Sequence, residues 1–168
     1  MRLASVALLL FTVLPGPAVA QTESGLPDPA LTPGAINPQI TQANIDRTIC
    51  VRGWTRTVRP PKAYTEDVKH HQIDVSYRYF DKRLRAYEED HLIPLELGGS
   101  PTNLQNLWPE PHYVYSGWGS FVKDRLEYRL NRMVCDHKIS LDTARQAIAT
   151  NWITAYQEYI GPTPEGER

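Results

Sequence analysis

The residues best suited to chemistry lie in one short stretch in the middle of the chain. Three acidic residues, Glu88, Glu89 and Asp90, run directly into His91. A carboxylate beside a histidine can hold a divalent cation while the imidazole acts as a general base. The competing interpretation is an acidic strand end with a hydrogen-bonded histidine that has no catalytic role. The residues that follow the pair favour the chemical interpretation.

Those residues predict a strand, a loop, a second strand and a helix. Leu92, Ile93 and Leu95 have apolar strand character, and the Gly98-Gly99 pair indicates a turn. A short return strand is predicted at Asn106-Leu107-Trp108, and the apolar spacing of residues 118–134 predicts a helix. The arrangement is ββα, with a histidine at the end of the first strand and an acid just before it.

At these residues the sequence resembles the HNH, or His-Me finger, endonucleases. The resemblance rests on Asp90-His91, Ile93-Pro94, Gly98-Gly99 and Asn106-Leu107-Trp108-Pro109, with fifteen positions between His91 and Asn106. The wider layout, over residues 41–160, is similar to a group of secreted bacterial HNH-like proteins, which share a helix containing Lys123-Asp124.

The resemblance implies an α+β fold with a ββα-metal core and additional packing helices. It also implies roles for three residues. His91 would be the general base that activates water, Asp90 would ligate a divalent metal, expected to be magnesium, and Asn106 would brace the loop and hold His91 in position. Such a metal would offset negative charge on the phosphorus transition state.

The family's further metal ligand, carried by the helix, has no clear counterpart here. The position at the family's spacing from Asn106 is Tyr115, which is an unsuitable ligand. His112 is the first candidate, although a surface histidine is an equally good interpretation. Asp124 is the second candidate, and Glu89 is a further one. Lys123 flanks the apolar stripe of the helix and is expected to contact phosphate.

The charge pattern adds a candidate nucleic-acid surface. The whole chain has a formal net charge of -1, yet the segment from Arg47 to Arg85 has ten basic and four acidic residues and a net charge of +6. Sequence-independent phosphate contacts are expected from this segment. The candidates are Arg52, Arg56, Arg59 and Lys62. A solvated surface balanced by acids elsewhere in the fold is the alternative.

The ends of the chain suggest export. Residues 1–20 have a basic start, an apolar run and a small-residue ending, which predicts a signal peptide cleaved after Ala20 and a secreted or periplasmic protein without a membrane anchor. Residues 21–43 are predicted to be a proline-rich linker, residues 44–160 the domain, and residues 161–168 a flexible tail. Cys50 and Cys135 would then form one disulfide.

Three further elements are predicted outside the central motif. Residues 45–61 alternate loosely and favour extended structure. Residues 66–77 are expected to form a helix capped by Thr65, and a last helix begins after Ser140 and stops before Gly161.

Together these features predict a secreted, metal-dependent endonuclease that hydrolyses DNA, with RNA as a further substrate, without sequence specificity. The sequence identifies no immunity or inhibitor protein. The alternative is a nucleic-acid-binding or envelope protein that keeps the ββα scaffold without catalysis.

Overall fold

The computed structural model describes residues 25–164, which mix helices with a small sheet. The predicted signal peptide and its cleavage site, and the tail from residue 165 onward, lie outside the described residues. The main elements are α1 (Thr55–Val58), α2 (Lys62–His71), β1 (Tyr87–His91), β2 (Leu107–Pro111), α3 (Ser120–Cys135) and α4 (Leu141–Tyr159). Short 3-10 turns occupy Gln42–Arg47, Leu84–Ala86, Leu95–Leu97 and Leu104–Asn106. The predicted α+β class is confirmed.

The strands β1 and β2 form an antiparallel pair, and α3 follows them in the chain. The register places Asp90 opposite Trp108 and His91 opposite Leu107. As predicted, β1 ends at the histidine. The strand is shorter than the apolar pattern indicated, because Leu92, Ile93 and Leu95 lie after it as buried residues of the connecting loop.

The core lies between the strand pair and the two long helices. Along α3, the residues at four-residue spacing are buried as the periodicity predicts: Val122, Leu126, Leu130 and Val134. They pack with Ile148, Trp152 and Tyr156 of α4. The apolar spacing that predicts this helix also includes Phe121, but Phe121 is 48% exposed.

Helix α4 agrees with its predicted limits and has an interruption that the sequence pattern did not reveal. Ser140 caps it by accepting a hydrogen bond from the Thr143 amide. At Asn151 the backbone leaves the helical region, and the Asn151 side chain accepts from the Thr154 amide at 3.0 Å. The side chain therefore caps a second helical segment inside α4.

The prediction of extended structure over residues 45–61 was wrong. A 3-10 turn begins at Gln42 behind a capping box formed by Thr41 and Asn44, and α1 covers Thr55–Val58. The apolar side chains that suggested alternation belong to helical turns, in which Ile45 and Ile49 face the core one turn apart.

The predicted helix over residues 66–77 also differs in its limits. Helix α2 begins earlier, at Lys62 directly after Pro61, and Thr65 donates its hydroxyl to the Lys62 carbonyl instead of capping the helix. A proline fits the N-terminal end because its missing amide proton is not needed there. The helix then continues into a π-helical turn at Gln72–Ser76.

From Gly25 onward, the predicted linker over residues 21–43 packs against the domain. Thr32 and Ile40 are buried, and the Trp152 indole donates to the Gly25 carbonyl at 2.9 Å. Residue Ile36 forms a β-bridge with Gly99. The proline-rich sequence has no apolar periodicity from which packing could be predicted. Backbone hydrogen bonds from Asn37 to Gly98 and from Ser100 to Ala35 nevertheless fix this stretch to the loop after β1.

Cys50 and Cys135 form the predicted disulfide, which joins residues 85 positions apart and ties the turn before α1 to the end of α3. Within residues 25–164, none of the helices combines the length and apolar character needed to cross a membrane.

Candidate functional site

Asp90 and His91 are the last two residues of β1, and their side chains point in opposite directions, because successive residues of a strand point to opposite faces. Asp90 turns toward α3, where its Oδ2 lies 2.5 Å from Lys123 Nζ. His91 turns into the loop that joins the strands, where its Nε2 lies 3.0 Å from the Pro101 carbonyl oxygen.

The hydrogen bond of His91 determines its tautomer. A carbonyl oxygen can only accept, so Nε2 carries the proton and Nδ1 keeps its lone pair. Burial lowers the pKa of His91 below its ordinary value of 6.5, which keeps the ring neutral near pH 7. The residue as a whole is 4% exposed. A neutral imidazole with a free Nδ1 is the form that a general base requires.

Asn106 forms hydrogen bonds with the backbone of the loop between the strands. Its side-chain oxygen accepts from the Ile93 amide at 2.9 Å, and its amide nitrogen donates to the carbonyls of Ile93 and Ser100, both at 3.0 Å. The oxygen also accepts from the Ala35 amide at 3.3 Å. Asn106 is fully buried, so these bonds replace water as the partners of four backbone groups.

The glycine pair lets the loop come this close to Asn106. A side chain at Gly99 would overlap the Ile93 carbonyl, and one at Gly98 would meet Arg145 and Ile40. Gly98 also has a φ of 71°, in the left-handed region that favours glycine.

Arg145 of α4 fixes the same loop from behind and was not anticipated from the sequence. It is buried and donates to the carbonyls of Leu97 at 2.7 Å, Ile40 at 3.0 Å and Gly98 at 3.3 Å. Its position on the inner face of α4, beside Ala144 and Ile148, was the available signal.

On the other face of β1, Lys123 is the centre of a buried charged group. Its Nζ donates to Asp90, to the His91 carbonyl at 3.0 Å and to Glu127, and lies 3.6 Å from Glu110. The side chain is fully buried. The predicted phosphate contact by Lys123 does not fit this position, because its ammonium has no access to solvent and is bound by carboxylates.

The carboxyl groups around Lys123 have pKa values that are shifted in opposite directions. Burial opposes ionisation of Asp90, but Lys123 and a hydrogen bond from Glu110 lower the pKa of Asp90 to about 2. Burial raises the pKa of Glu110 and of Glu127 well above the usual range. As a carboxylate Glu110 would have no hydrogen-bond partner at either oxygen, whereas in its protonated form it can donate to Asp90.

Glu110 and Glu127 were not identified from the sequence. Glu127 was detectable, since it lies one helical turn after Lys123, a spacing that brings opposite charges together. Glu110 lies on β2 opposite Glu88, and only the strand register brings it to the same face as Asp90.

The candidates for a further metal ligand do not converge on Asp90. His112 Nδ1 lies 2.9 Å from Ser120 Oγ, and its ring stacks on Phe121. Asp124 is exposed on α3, and Glu89 points to the face of β1 opposite to Asp90. Across the described part of the chain, no group of three His, Cys, Asp or Glu side chains is arranged to hold a metal ion. The side chains at Asp90 therefore do not fit a magnesium site as they stand.

The basic candidates before β1 are exposed, as phosphate contacts must be. Those with exposed side chains are Arg52, Arg56, Arg59 and Lys62. Among these four residues, Arg59 acts on the candidate base, because its charge adds to the effect of burial in lowering the pKa of His91.

Glu89 gives a stability prediction that is independent of catalysis. Both carboxyl oxygens are buried without a hydrogen-bond partner, and burial, together with the nearby charge of Asp90, raises the pKa of Glu89 to about 9. The folded protein therefore holds a proton that the unfolded chain releases near pH 4.5. The stabilising effect of that proton is complete below this value and is lost as the pH rises toward 9.

Glu89→Gln, which is neutral at every pH, is expected to match the wild type at about pH 5 and to be more stable by about 3 kcal/mol at about pH 8. Urea denaturation at both pH values measures the difference. Asp67→Asn, at an exposed acid of α2, is the control and should show no such trend. An equal stability difference between Glu89→Gln and the wild type at both pH values would contradict the prediction.

Comparisons of the chain with protein-family models, with curated proteins and with solved structures found no match. Any assignment of function therefore depends on the geometry of the site and on the resemblance of its motif.

Proposed function

We propose that this chain is a secreted endonuclease that hydrolyses phosphodiester bonds in DNA or RNA, with His91 as the general base. The observation that carries the proposal is the pair of side chains that hold the end of β1 and its loop. His91 keeps a free Nδ1 because Nε2 is bound to the Pro101 carbonyl, and Asn106 bonds the same loop at Ile93 and Ser100.

In the proposed reaction, Nδ1 of His91 accepts a proton from a water molecule as the water oxygen attacks phosphorus. The bond from phosphorus to the leaving oxygen breaks, the leaving oxygen takes a proton from solvent water, and His91 releases its own proton to solvent. Arg59 supplies positive charge near His91 for the phosphate oxygens. A magnesium ion remains a prediction of the resemblance, and we assign no step to it because the side chains around Asp90 do not form its site.

Exposed aromatic side chains beside the start of α3 support a nucleic-acid substrate. Tyr113 is 83% exposed, and its ring lies 5.7 Å from that of Phe121, which in turn stacks on His112. Tyr115 is fully exposed nearby in the chain. Such rings offer flat surfaces on which unpaired bases can stack without sequence preference.

The Lys123–Asp90 ion pair favours a second candidate, a nucleic-acid-binding protein that keeps the scaffold without catalysis. In that case the protein would retain single-stranded DNA at low salt through the basic segment and would cleave nothing. The cleavage experiment separates the two candidates.

The test is cleavage of single-stranded DNA, double-stranded DNA and RNA by the chain from residue 21 onward. His91→Ala is expected to lower the cleavage rate by about 10²–10⁴-fold, because the proton acceptor is removed. His70→Ala, at an exposed histidine of α2, is the matched control and should cleave like the wild type. Equal cleavage by wild type and His91→Ala, or none by the wild type, would refute the proposed function.

A further inference from the structure

The Lys123 ammonium lies among three carboxyl groups on the α3 face of β1. It donates hydrogen bonds to two of them, Asp90 and Glu127, and forms an ion pair with the third, Glu110. Lys123 Nζ lies 2.5 Å from Asp90 and 3.6 Å from Glu110, and it also donates to Glu127. Its remaining proton is directed to the His91 carbonyl at 3.0 Å. The three N–H bonds of the ammonium are therefore all used inside the protein.

The position of this nitrogen is the position that a divalent cation would take. Carboxyl groups from β1, β2 and α3 meet there, and oxygen ligands from several elements are what hard cations require. Lys123 Nζ fills the point that Asp90, Glu110 and Glu127 share, since it lies within ion-pair distance of a carboxyl oxygen of each. The Lys123 side chain is fully buried, so ions from solvent do not reach the carboxyl groups around its ammonium freely.

We propose that the Lys123 ammonium is the resident cation of this carboxyl cluster and keeps divalent metal ions away from Asp90. Lys123 acts as a positioning residue, because a fully buried ammonium cannot touch a substrate. It fixes Asp90 and the carbonyl of His91 to α3, and so holds the end of β1 that carries the proposed base. The consequence for catalysis rests on the proposed function, whereas the consequence for metal binding does not.

The experiment compares thermal unfolding of the wild type and of Lys123→Met in EDTA and in MnCl₂. The wild type is expected to melt at the same temperature in both. Lys123→Met keeps the length of the side chain and leaves three carboxyl groups without a cation. Its melting temperature is expected to fall by about 10 °C or more in EDTA and to rise again by about 5 °C or more in MnCl₂.

Lys69→Met is the matched control. Lys69 is also a buried lysine, but it has one carboxylate partner, Glu66, and otherwise donates to the Tyr87 carbonyl. Its removal should lower the melting temperature without creating a response to MnCl₂. A metal response in Lys69→Met equal to that in Lys123→Met would overturn the inference.

If Lys123→Met does not fold, the melting temperature of the wild type in MnCl₂ tests the inference by itself. A rise of the wild-type melting temperature in MnCl₂ that disappears in Asp90→Asn would show that a metal binds Asp90 beside Lys123, and would overturn the inference. An unchanged wild-type melting temperature supports it.

Cleavage separates the failure of this inference from failure of the proposed function. His91-dependent cleavage that persists in EDTA supports both. Cleavage that depends on both His91 and magnesium, and that Asp90→Asn abolishes, keeps the proposed function and overturns the inference. If the wild type cleaves nothing, the proposed function fails and the melting temperatures still decide the role of Lys123.

Discussion

Asn106→Ala is expected to destabilise the protein by about 3–5 kcal/mol. The substitution removes the partner of the Ile93 amide and of the Ile93 and Ser100 carbonyls. Asn106 is fully buried, so water cannot take over these bonds without opening the loop. Urea denaturation measures the loss, and cleavage should fall with it because Pro101, the partner of His91, belongs to the same loop.

Asn103→Ala is the matched control, since Asn103 lies in the same loop and also bonds the backbone. Its side chain accepts a single hydrogen bond, from the Gln105 amide, in an exposed position. Loss of this cap should cost about 1 kcal/mol. A loss at Asn106 no larger than the loss at Asn103 would show that Asn106 does not hold the loop.

Removal of the disulfide is also expected to lower the stability of the protein. Cys50→Ala with Cys135→Ala is expected to lower the free energy of unfolding by about 2–4 kcal/mol, because the unfolded chain regains the freedom of a long loop. The bridge spans 85 positions and anchors α3, on which Lys123 lies. Denaturation under oxidising conditions measures the loss.

Reductant provides the internal control for this prediction. The wild type in dithiothreitol should unfold like the double variant, and the double variant should not respond to dithiothreitol. A wild type whose stability is unchanged by reductant would contradict the stabilising role of the Cys50–Cys135 bond.

The parts of the site that the sequence predicted are those set by short-range pattern. Asp90 and His91 lie at the end of β1, as the sequence predicted. The predicted return strand at Asn106-Leu107-Trp108 is shifted: Asn106 ends a 3-10 turn, and β2 covers Leu107–Pro111. Helix α3 and α4 follow from apolar side chains repeated every turn. These signals need no knowledge of tertiary contacts.

The Lys123 cluster could not be predicted in the same way. A lysine beside an apolar stripe is expected to reach solvent, since buried lysines are rare without partners. Its partners here come from β1, β2 and one turn further along α3, and only the packed fold brings Asp90 and Glu110 to the same ammonium. The position of Arg145 on the inner face of α4 indicated burial, but its acceptors are backbone carbonyls, which carry no sequence signature.

The loop after β1 is held by stretches that are far apart in the chain. Ala35 and Asn37 contact Asn106 and Gly98 from the N-terminal side, and Arg145 contacts Leu97 and Gly98 from α4. Contacts between residues this far apart in the chain form slowly. The chain between them must lose conformational entropy before the contact contributes any stability. We therefore expect the loop that positions His91 to reach its final form late in folding, after the N-terminal stretch and α4 have packed against it.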